Sequence, residues 1–363
     1  MAVTLKDIAE KVQMSQTSVS FVLNDRPNRI SPEKRELILK TAKEMNYVPN
    51  QNAVGLVKRK SHMIGVIIPD ISNAFFSEIV SGIDSTVREH GWNTMIMTTN
   101  DDYEKDLTSI RTLAARGMDA IILVVASNHS PERADSYKKV MRSFNRPVIL
   151  VDRRFEELGI STIGVDHKKG AYMAIDYLAR MGHRHIALLS GPQYRSSHRY
   201  LGVQQACQDR GLVITGADVF EGDYTMSSAY MLADNIVAGG YTGVFCFNDM
   251  MAYGLYKRCL EIGTRIPQDI SLVGFDDIFF SDYINLTAIR QPAYNLGIEA
   301  ARRAFYEIEN PDTPPRFLYF EPSIRIRGSV AAQNLSKRSG PLPGPVRIFD
   351  IFLRRTLVIL WAA

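Results

Sequence analysis

The chain has 363 residues, of which 45% are hydrophobic and 23% charged, with a net charge of +4. These values are ordinary for a soluble globular protein of about two or three domains and exclude a disordered chain or a fibrous repeat. Three scattered cysteines without a CxxC pair argue against disulfides and a zinc site. Because the N-terminus lacks a secretory signal and no apolar segment is long enough to span a membrane, we expect a cytoplasmic protein.

Positive charge is concentrated at the N-terminal end. Residues 1–60 hold eleven Lys and Arg against six Asp and Glu, whereas residues 61–335 hold 27 against 32 and residues 336–363 five against one. A basic head on an acidic body fits phosphate binding at one end, because Lys and Arg release the counterions of DNA. Charge alone is weak support, since a segment of this size and charge is common.

Three short helices are predicted in residues 1–49. Thr4 and Asp7 form a capping box for the first helix, and Ser15 caps a second helix over residues 16–23. Ser31 followed by Pro32 begins the third. Three helices with a tight turn between the first two are typical of a helix-turn-helix domain.

The second helix has the features of a recognition helix. Its buried positions are Val19, Val22 and Leu23, so its polar N-terminal residues lie off the buried stripe. A recognition helix reads bases mainly with its N-terminal residues, and Gln16 can pair with an adenine edge. A three-helix bundle without a DNA partner is the open alternative at this point.

The segment after the third helix carries a resemblance to a known family. TLKDIAEKV, SQTSVSFVLN and YVPN, followed by Ala53 and Leu56, resemble the head and hinge of the lactose/galactose-repressor (LacI/GalR) family in order. The resemblance implies a hinge in residues 50–60 that becomes helical on operator DNA, with Leu56 as an apolar wedge in the minor groove. It implies operator contacts from these residues: Thr4, Ser15, Gln16, Thr17, Ser18, Ser20, Phe21, Asn24, Tyr47, Asn50, Ala53 and Leu56.

The hinge departs from the family in one respect. Val54 stands where the family often has a basic or polar residue, and Gly55 is a poor helix former, by about 1 kcal/mol against alanine. We therefore expect operator-induced folding of this hinge to be weaker, or to need more help from dimer contacts. Lys58, Arg59 and Lys60 either hold flanking phosphates or form a solvated linker.

From Met63 onward apolar strands alternate with amphipathic helices, which predicts parallel sheets covered by helices. Two similar halves follow each other, so we expect two Rossmann-like lobes of the periplasmic-binding-protein type. The resemblance, which covers residues 2–332, implies three crossings between the lobes, near Ser161, Gln291 and Pro322. Lobe 1 then comprises about 61–161 and 292–322, and lobe 2 about 162–291 and 323–335.

Nearly every predicted strand ends in a polar residue. Ligands bind outside the carboxyl ends of parallel strands, so two facing lobes would gather these groups around one cleft. Carboxylates, amides and guanidinium groups suit a polyol, although a helix cap is an equal alternative for any single Asp. With the resemblance, we expect the effector to contact these residues: Asn73, Phe75, Phe76, Asp152, Arg153, Arg199, Tyr224, Asn248, Asp249, Asp276 and Gln291.

The sequence contains no clear motif for metal binding or catalysis. His183 and His185 could face one side of a strand, but no third metal ligand is suggested. Asp101 and Asp102 are better explained as the cap of the following helix. Since no GxGxxG, P-loop or GxSxG motif occurs, we expect no cofactor, no metal and no enzymatic activity.

The sequence thus predicts a homodimeric, sugar-responsive repressor of the bacterial cytoplasm and nucleoid that reads a pseudo-palindromic operator. A phosphosugar or a purine as effector, a corepressor mode and a tetramer stay open. A periplasmic-type sugar-binding protein would need a signal peptide and lack the head, and an enzyme would need a paired acid and base. The tail, residues 336–363, lies beyond the family's usual end and is either an amphipathic helix that docks on a subunit or membrane, or an adventitious extension.

Overall fold

The computed structural model describes residues 3–24, 27–47, 61–193, 195 and 197–333. The head contains α1 (Leu5–Lys11), α2 (Gln16–Leu23) and α3 (Pro32–Glu44). Their inward faces, centred on Ile8, Val19 and Ile38, form a small apolar core of their own. The predicted hinge and the tail lie outside the described residues.

The body contains two six-stranded sheets, each flanked by helices. The first has the strand order β11-β5-β4-β3-β1-β2 and is parallel throughout. Its strands are β1 (Met63–Ile68), β2 (Asn93–Thr98), β3 (Ala120–Leu123), β4 (Val148–Asp152), β5 (Thr162–Val165) and β11 (Phe317–Phe320). Its helices are α4 (Ala74–Glu89), α5 (Tyr103–Ala115), α6 (Ala134–Phe144) and α12 (Ala293–Glu309).

The second sheet has the order β12-β10-β9-β8-β6-β7, with β12 antiparallel to β10. Its strands are β6 (Ile186–Ser190), β7 (Val219–Glu221), β8 (Gly243–Cys246), β9 (Ser271–Asp276), β10 (Thr287–Arg290) and β12 (Ser323–Arg325). Its helices are α7 (His167–Arg180), α8 (His198–Arg210), α9 (Met226–Ala238), α10 (Asp249–Ile262) and the short α11 (Phe280–Tyr283). The head and the two α/β lobes match the predicted fold class.

The first crossing between the lobes lies later than expected. β5 pairs with β4 and with β11 in the first sheet, so the chain leaves lobe 1 after Val165 and not near Ser161. The four residues of β5 are buried, and Ile163 and Val165 belong to one of the apolar cores of lobe 1. The chain crosses again between β10 and α12 and between β11 and β12.

Apolar cores lie on both faces of the first sheet, one under α4 and α12 and the other under α5 and α6. The second lobe has one large core that includes its strands and α7 to α10. Among the described residues, no helix is both long and apolar enough to cross a membrane. The folded lobes present the carboxyl ends of their strands to the space between them, where a ligand site is expected.

Candidate DNA-binding head and effector cleft

Two predicted operator contacts serve first as helix caps in the head. The Thr4 hydroxyl accepts a hydrogen bond from the Asp7 backbone N–H at 3.3 Å, and Asp7 Oδ2 accepts one from the Thr4 N–H at 2.7 Å. The latter bond lowers the pKa of Asp7 below its ordinary value. The Ser15 hydroxyl accepts a bond from the Ser18 N–H at 3.1 Å, so these groups fix where α1 and α2 begin.

The N-terminal end of α2 is the exposed part of the head. Gln16 and Thr17 are exposed, whereas Val19 and Val22 are buried in the head core. Later positions are half-buried, namely Ser18, Ser20, Phe21 and Asn24, and the Asn24 amide donates to the Ser20 carbonyl at 2.8 Å. Tyr47 packs half-buried against the head core, while Asn50, Ala53 and Leu56 lie outside the described residues.

A cavity of about 530 Å³ separates the two lobes. This volume is within the range of small-molecule sites, about 300–1,000 Å³. Both lobes contribute polar side chains to its wall. They include Ser127, His129, Arg153 and Arg154 from lobe 1, and His167, Gln193, His198, Arg199 and Tyr224 from lobe 2.

Arg153 reaches from the end of β4 towards the opposite lobe. Its guanidinium group donates to Asp101 and, at 2.7 Å, to the Val125 carbonyl. Its Cζ lies 5.9 Å from the ring centre of Phe76 and 6.0 Å from that of Tyr224. Arg153 is therefore fixed between an aromatic ring of each lobe.

Asp101 has a different role from the one expected. Asp102 caps α5 by accepting from the Lys105 N–H at 2.9 Å, but Asp101 accepts from Arg153 and from the Ser127 N–H. Burial raises the pKa of Asp101, but the charge of Arg153 outweighs burial and the pKa lies below its usual range. The sequence analysis missed Asp101 because two adjacent aspartates fit one cap equally well.

A chain of polar side chains connects the lobes at the base of the cleft. His167 Nε2 lies 2.9 Å from Gln291 Oε1 and 3.1 Å from Asp152 Oδ1. Gln291 donates in turn to Asp276 Oδ1 at 2.7 Å, and the Arg199 guanidinium lies 4.0 Å from the same oxygen. Asp152 belongs to lobe 1, whereas His167, Asp276 and Arg199 belong to lobe 2. The chain therefore spans the boundary that an opening of the lobes would separate.

The two aspartates of this chain differ in pKa. Burial raises the pKa of Asp276 well above its ordinary value, and the nearby Arg199 only partly opposes this. Burial also acts on Asp152, but the bond to His167 and the charges of Arg199 and Arg153 hold its pKa below the usual range. Burial, followed by the charge of Arg199, lowers the pKa of His167. A neutral imidazole thus faces an ionised Asp152 at neutral pH.

Three residues beside the cleft have a backbone conformation with positive φ. Asp152, Tyr224 and Asp276 have φ values of 68°, 66° and 122°, in a region that side chains other than glycine rarely adopt. Such strain costs on the order of 1–3 kcal/mol per residue and collects at functional sites. The conformation turns these side chains from the sheets towards the space between the lobes.

Two family models together match nearly all of the described chain. The model for bacterial regulatory proteins of the lacI family matches residues 4–50, and that for periplasmic binding proteins and the sugar-binding domain of the LacI family matches residues 61–319. The chain belongs to the LacI family. This LacI-family protein is a DNA-binding transcription regulator with an effector-binding body, as the resemblance implied.

Relatives support the same assignment over almost the full length. The HTH-type transcriptional repressor PurR of Vibrio campbellii is 32% identical over 337 residues, which is 91% of this chain and 99% of that protein. Catabolite control protein A of Streptococcus mutans is 29% identical over 336 residues. The match covers 90% of this chain and 98% of that protein.

Solved structures resemble both parts of the molecule. The lac repressor dimer bound to operator and the anti-inducer ONPF has a TM-score of 0.78 and 26% identity, covering 92% of this chain and 100% of its own. A LacI-family regulator of Enterococcus faecium with bound ribose has a TM-score of 0.68 and 27% identity, covering 75% of this chain and 100% of its own.

Several residues predicted to contact the effector hold helix caps in this LacI-family body. Asn73 Oδ1 accepts from the Phe75 N–H at 3.0 Å, and Asn248 Oδ1 accepts from the Met251 N–H at 2.9 Å. The Asn248 amide also donates to the Tyr224 carbonyl at 2.9 Å, so it positions the backbone of a cleft residue. The Phe75 side chain is buried in the lobe 1 core.

Asp249 points away from the cleft wall. Its Oδ2 accepts from the Ile278 N–H at 2.9 Å and from the Ser281 hydroxyl at 2.6 Å, beneath the segment after β9. Burial raises its pKa to about 7. The residue therefore anchors the segment that leads into α11.

His167 is one of the cleft residues that were not predicted from the sequence, as are Arg154 and His198. It follows directly after β5 and Asp166, so the rule that found the other strand-end groups would have found it as well. His183, which was considered as a metal ligand together with His185, has other partners. Its Nδ1 lies 3.0 Å from Thr242 Oγ1 and its Nε2 lies 3.1 Å from the Ala331 carbonyl. In the described part of the chain, no cluster of residues is suited to a metal ion.

Proposed function

We propose that this protein is a homodimeric repressor whose affinity for a pseudo-palindromic operator is lowered by a sugar-type effector bound between the lobes. The observation that carries the proposal is the polar chain of Asp152, His167, Gln291, Asp276 and Arg199 beside the inter-lobe cavity. A ligand that bonds to this chain contacts both lobes. It therefore binds one lobe arrangement better than another and shifts their populations.

The effector class is argued from polar atoms that lack partners. Ser190 Oγ and Arg199 Nε are buried and have no hydrogen-bond partner within the described residues, whereas Asp152 Oδ1 faces His167 Nε2 at 3.1 Å. His167 Nε2 carries one proton at most, and Gln291 is its closer acceptor. Sugar hydroxyls both donate and accept, so a polyol can satisfy an aspartate oxygen, a serine hydroxyl and a guanidinium N–H together. The bound ribose of the Enterococcus faecium regulator supports the same class.

The link from effector to operator runs through lobe 1. Asp119, just before β3, accepts from the His62 N–H at 2.7 Å and from the Ser61 hydroxyl at 3.1 Å. The chain that leads from the hinge is thereby fixed to the sheet whose far end carries Asp152. A change in lobe arrangement can then alter how two hinges approach DNA, which gives a coupling free energy between the sites.

Dimerisation is proposed from an exposed aromatic surface. Phe279, Phe280 and Tyr283 are 57%, 52% and 80% exposed, and the rings of Phe279 and Phe280 lie 4.5 Å apart between centres. A single head buries too little DNA for specific affinity, so two heads must bind together. The operator-bound lac repressor of similar fold is a dimer.

We also propose that the protein acts in the cytoplasm without enzymatic activity. His167, which lies in the cleft, directs Nε2 to Gln291 and Asp152, not to a serine or cysteine nucleophile. The relatives named above are transcription regulators. A protein that holds its ligand without turning it over fits these observations.

Selection of DNA by the full-length protein tests the proposal. A random duplex library should yield a pseudo-palindromic site, because two identical heads read it. Gln16→Ala should weaken binding to that site at least tenfold, and so should Leu56→Ala through loss of the proposed minor-groove wedge. Gln208→Ala, on the exposed surface of the body, is the matched control. Failure to enrich any motif would contradict the proposal.

A further inference from the structure

The inter-lobe cavity is lined by several charged side chains. Arg153, Arg154 and Arg199 all line it. Its lining carboxylates, those of Glu132, Glu156 and Glu157, belong to exposed residues. The buried aspartates of the polar chain, Asp152 and Asp276, are absent from the lining.

Arg154 stands out among these arginines. Its guanidinium lies over the Tyr319 ring, with 3.7 Å between Cζ and the ring centre. Its Nε is buried and has no hydrogen-bond partner in the described part of the chain. Whereas Arg153 is paired with Asp101, no carboxylate of the described residues lies within ion-pair distance of Arg154. A partly buried charge without a counterion costs free energy unless something else binds it.

Arg199 offers a second open donor to the same cavity. Its Nε is also buried without a partner, and its Cζ lies 4.3 Å from the centre of the Phe275 ring, which holds the guanidinium plane. Its nearest carboxylate oxygen, on Asp276, is 4.0 Å away. A planar guanidinium with a free edge is suited to the oxygens of a carboxylate or phosphate.

The histidines of the cavity are affected by the same positive charge. Burial lowers the pKa of His167, and the charge of Arg199 lowers it further. Burial and then the charge of Arg154 act in the same way on His198. Arg154, His198, His167 and Arg199 all line this cavity, and an anion bound there would offset the positive charge of the two arginines.

We propose that the effector carries an anionic group, a carboxylate or a phosphate, bound by Arg154 and Arg199 in the inter-lobe cavity. The effector is then a sugar acid or a sugar phosphate. This inference rests on the proposed function and specifies its ligand.

Thermal unfolding of the full-length protein tests the inference with simple probes. Sodium phosphate and sodium gluconate are compared with sodium chloride at equal ionic strength, and gluconate with neutral glucose. At least one anion should raise the melting temperature saturably, because it binds the folded state. Arg154→Gln should weaken the apparent affinity for that anion at least tenfold, Arg154→Lys less so. The control variant Arg111→Gln removes an exposed arginine from lobe 1. Its apparent affinity for the anion should stay within twofold of the wild-type value.

Two results would overturn the inference. One is that neither anion stabilises the protein beyond chloride, and the other is that Arg154→Gln binds the stabilising anion as tightly as the wild type does. Neither result would contradict the proposed repressor function, because operator selection and stabilisation by neutral sugars are measured separately. Arg154→Gln serves as a test once its melting temperature in chloride matches that of the wild type.

Discussion

Asp249 is a buried carboxyl whose ionisation is opposed by its surroundings. Burial raises its pKa to about 7 from an ordinary value of 3.8, although Ser281 and the Ile278 N–H donate to it. The folded state therefore holds a proton that the unfolded chain releases. The stabilisation is complete below about pH 4 and is lost as pH rises through about 7.

Asp249→Asn should remove this part of the pH dependence. An amide oxygen can still accept from the Ile278 N–H, and no charge has to be buried. The free energy of unfolding of the variant, relative to wild type, should rise by about 1–3 kcal/mol between pH 5 and pH 8. Urea unfolding at several pH values measures it. Parallel pH profiles would contradict the expectation, and Asp312→Asn, at an exposed position, should behave as wild type.

Residue roles were predictable from the sequence where the partner is local. Thr4 with Asp7 and Ser15 with Ser18 are three residues apart, and both caps are confirmed. The assignment of both Asp101 and Asp102 to the start of the helix was wrong for Asp101, because its partner, Arg153, is distant in sequence and follows β4. Adjacent residues of the same type are separated only by tertiary contacts.

At the scale of elements, two glycines allow α4 and α12 to pack closely over the first sheet. A Cβ on Gly82 would lie 2.1 Å from the Tyr294 carbonyl oxygen, and one on Gly297 would lie 2.0 Å from the Ile79 carbonyl oxygen. Real Cβ atoms do not approach backbone oxygens so closely. The two backbones therefore touch where each helix lacks a side chain.

Gly297→Ala should consequently force the two helices apart. Overpacking of a buried contact costs roughly 1–3 kcal/mol, and here the obstacle is backbone that cannot rotate away. We expect a loss of at least about 2 kcal/mol in the free energy of unfolding, measured by urea denaturation. Asn295→Ala, at an exposed position of the same helix, is the control. Equal stability of both variants would show that the helices have room to move.

The elements themselves were largely predictable, and their assembly less so. Caps and periodicity are local signals, which is why the predicted second helix, residues 16–23, agrees with α2. The assignment of β5 to the second lobe was wrong, because the sheet that a strand joins depends on pairing with β4 and with the distant β11. The same error hid His167, since no strand end was expected just before it.

At the scale of the whole molecule, repression requires two heads in a fixed relation. We expect the aromatic surface of Phe279, Phe280 and Tyr283 to supply part of the dimer contact. The double variant Phe279→Glu/Tyr283→Glu places like charges across such an interface and should shift the protein to monomers. Its operator affinity should fall at least tenfold, because each head then binds alone.

Sedimentation velocity measures the dimerisation, and anisotropy of labelled operator measures the affinity. Met231→Glu is the control, because this side chain is 73% exposed on α9 of the same lobe. If the double variant stays dimeric, the dimer contact lies elsewhere on the body.

The central claim is that a ligand in the inter-lobe cleft controls operator affinity. Fluorescence anisotropy of the selected operator, titrated with full-length protein with and without a ligand that stabilises it thermally, tests this most directly. Saturating ligand should raise the operator Kd at least tenfold for wild type and less than twofold for Arg199→Ala, whose Kd without ligand should be unchanged. Linkage requires operator DNA to weaken ligand binding by the same factor. An operator Kd that is unchanged by saturating ligand, or equally changed in both proteins, would contradict the account.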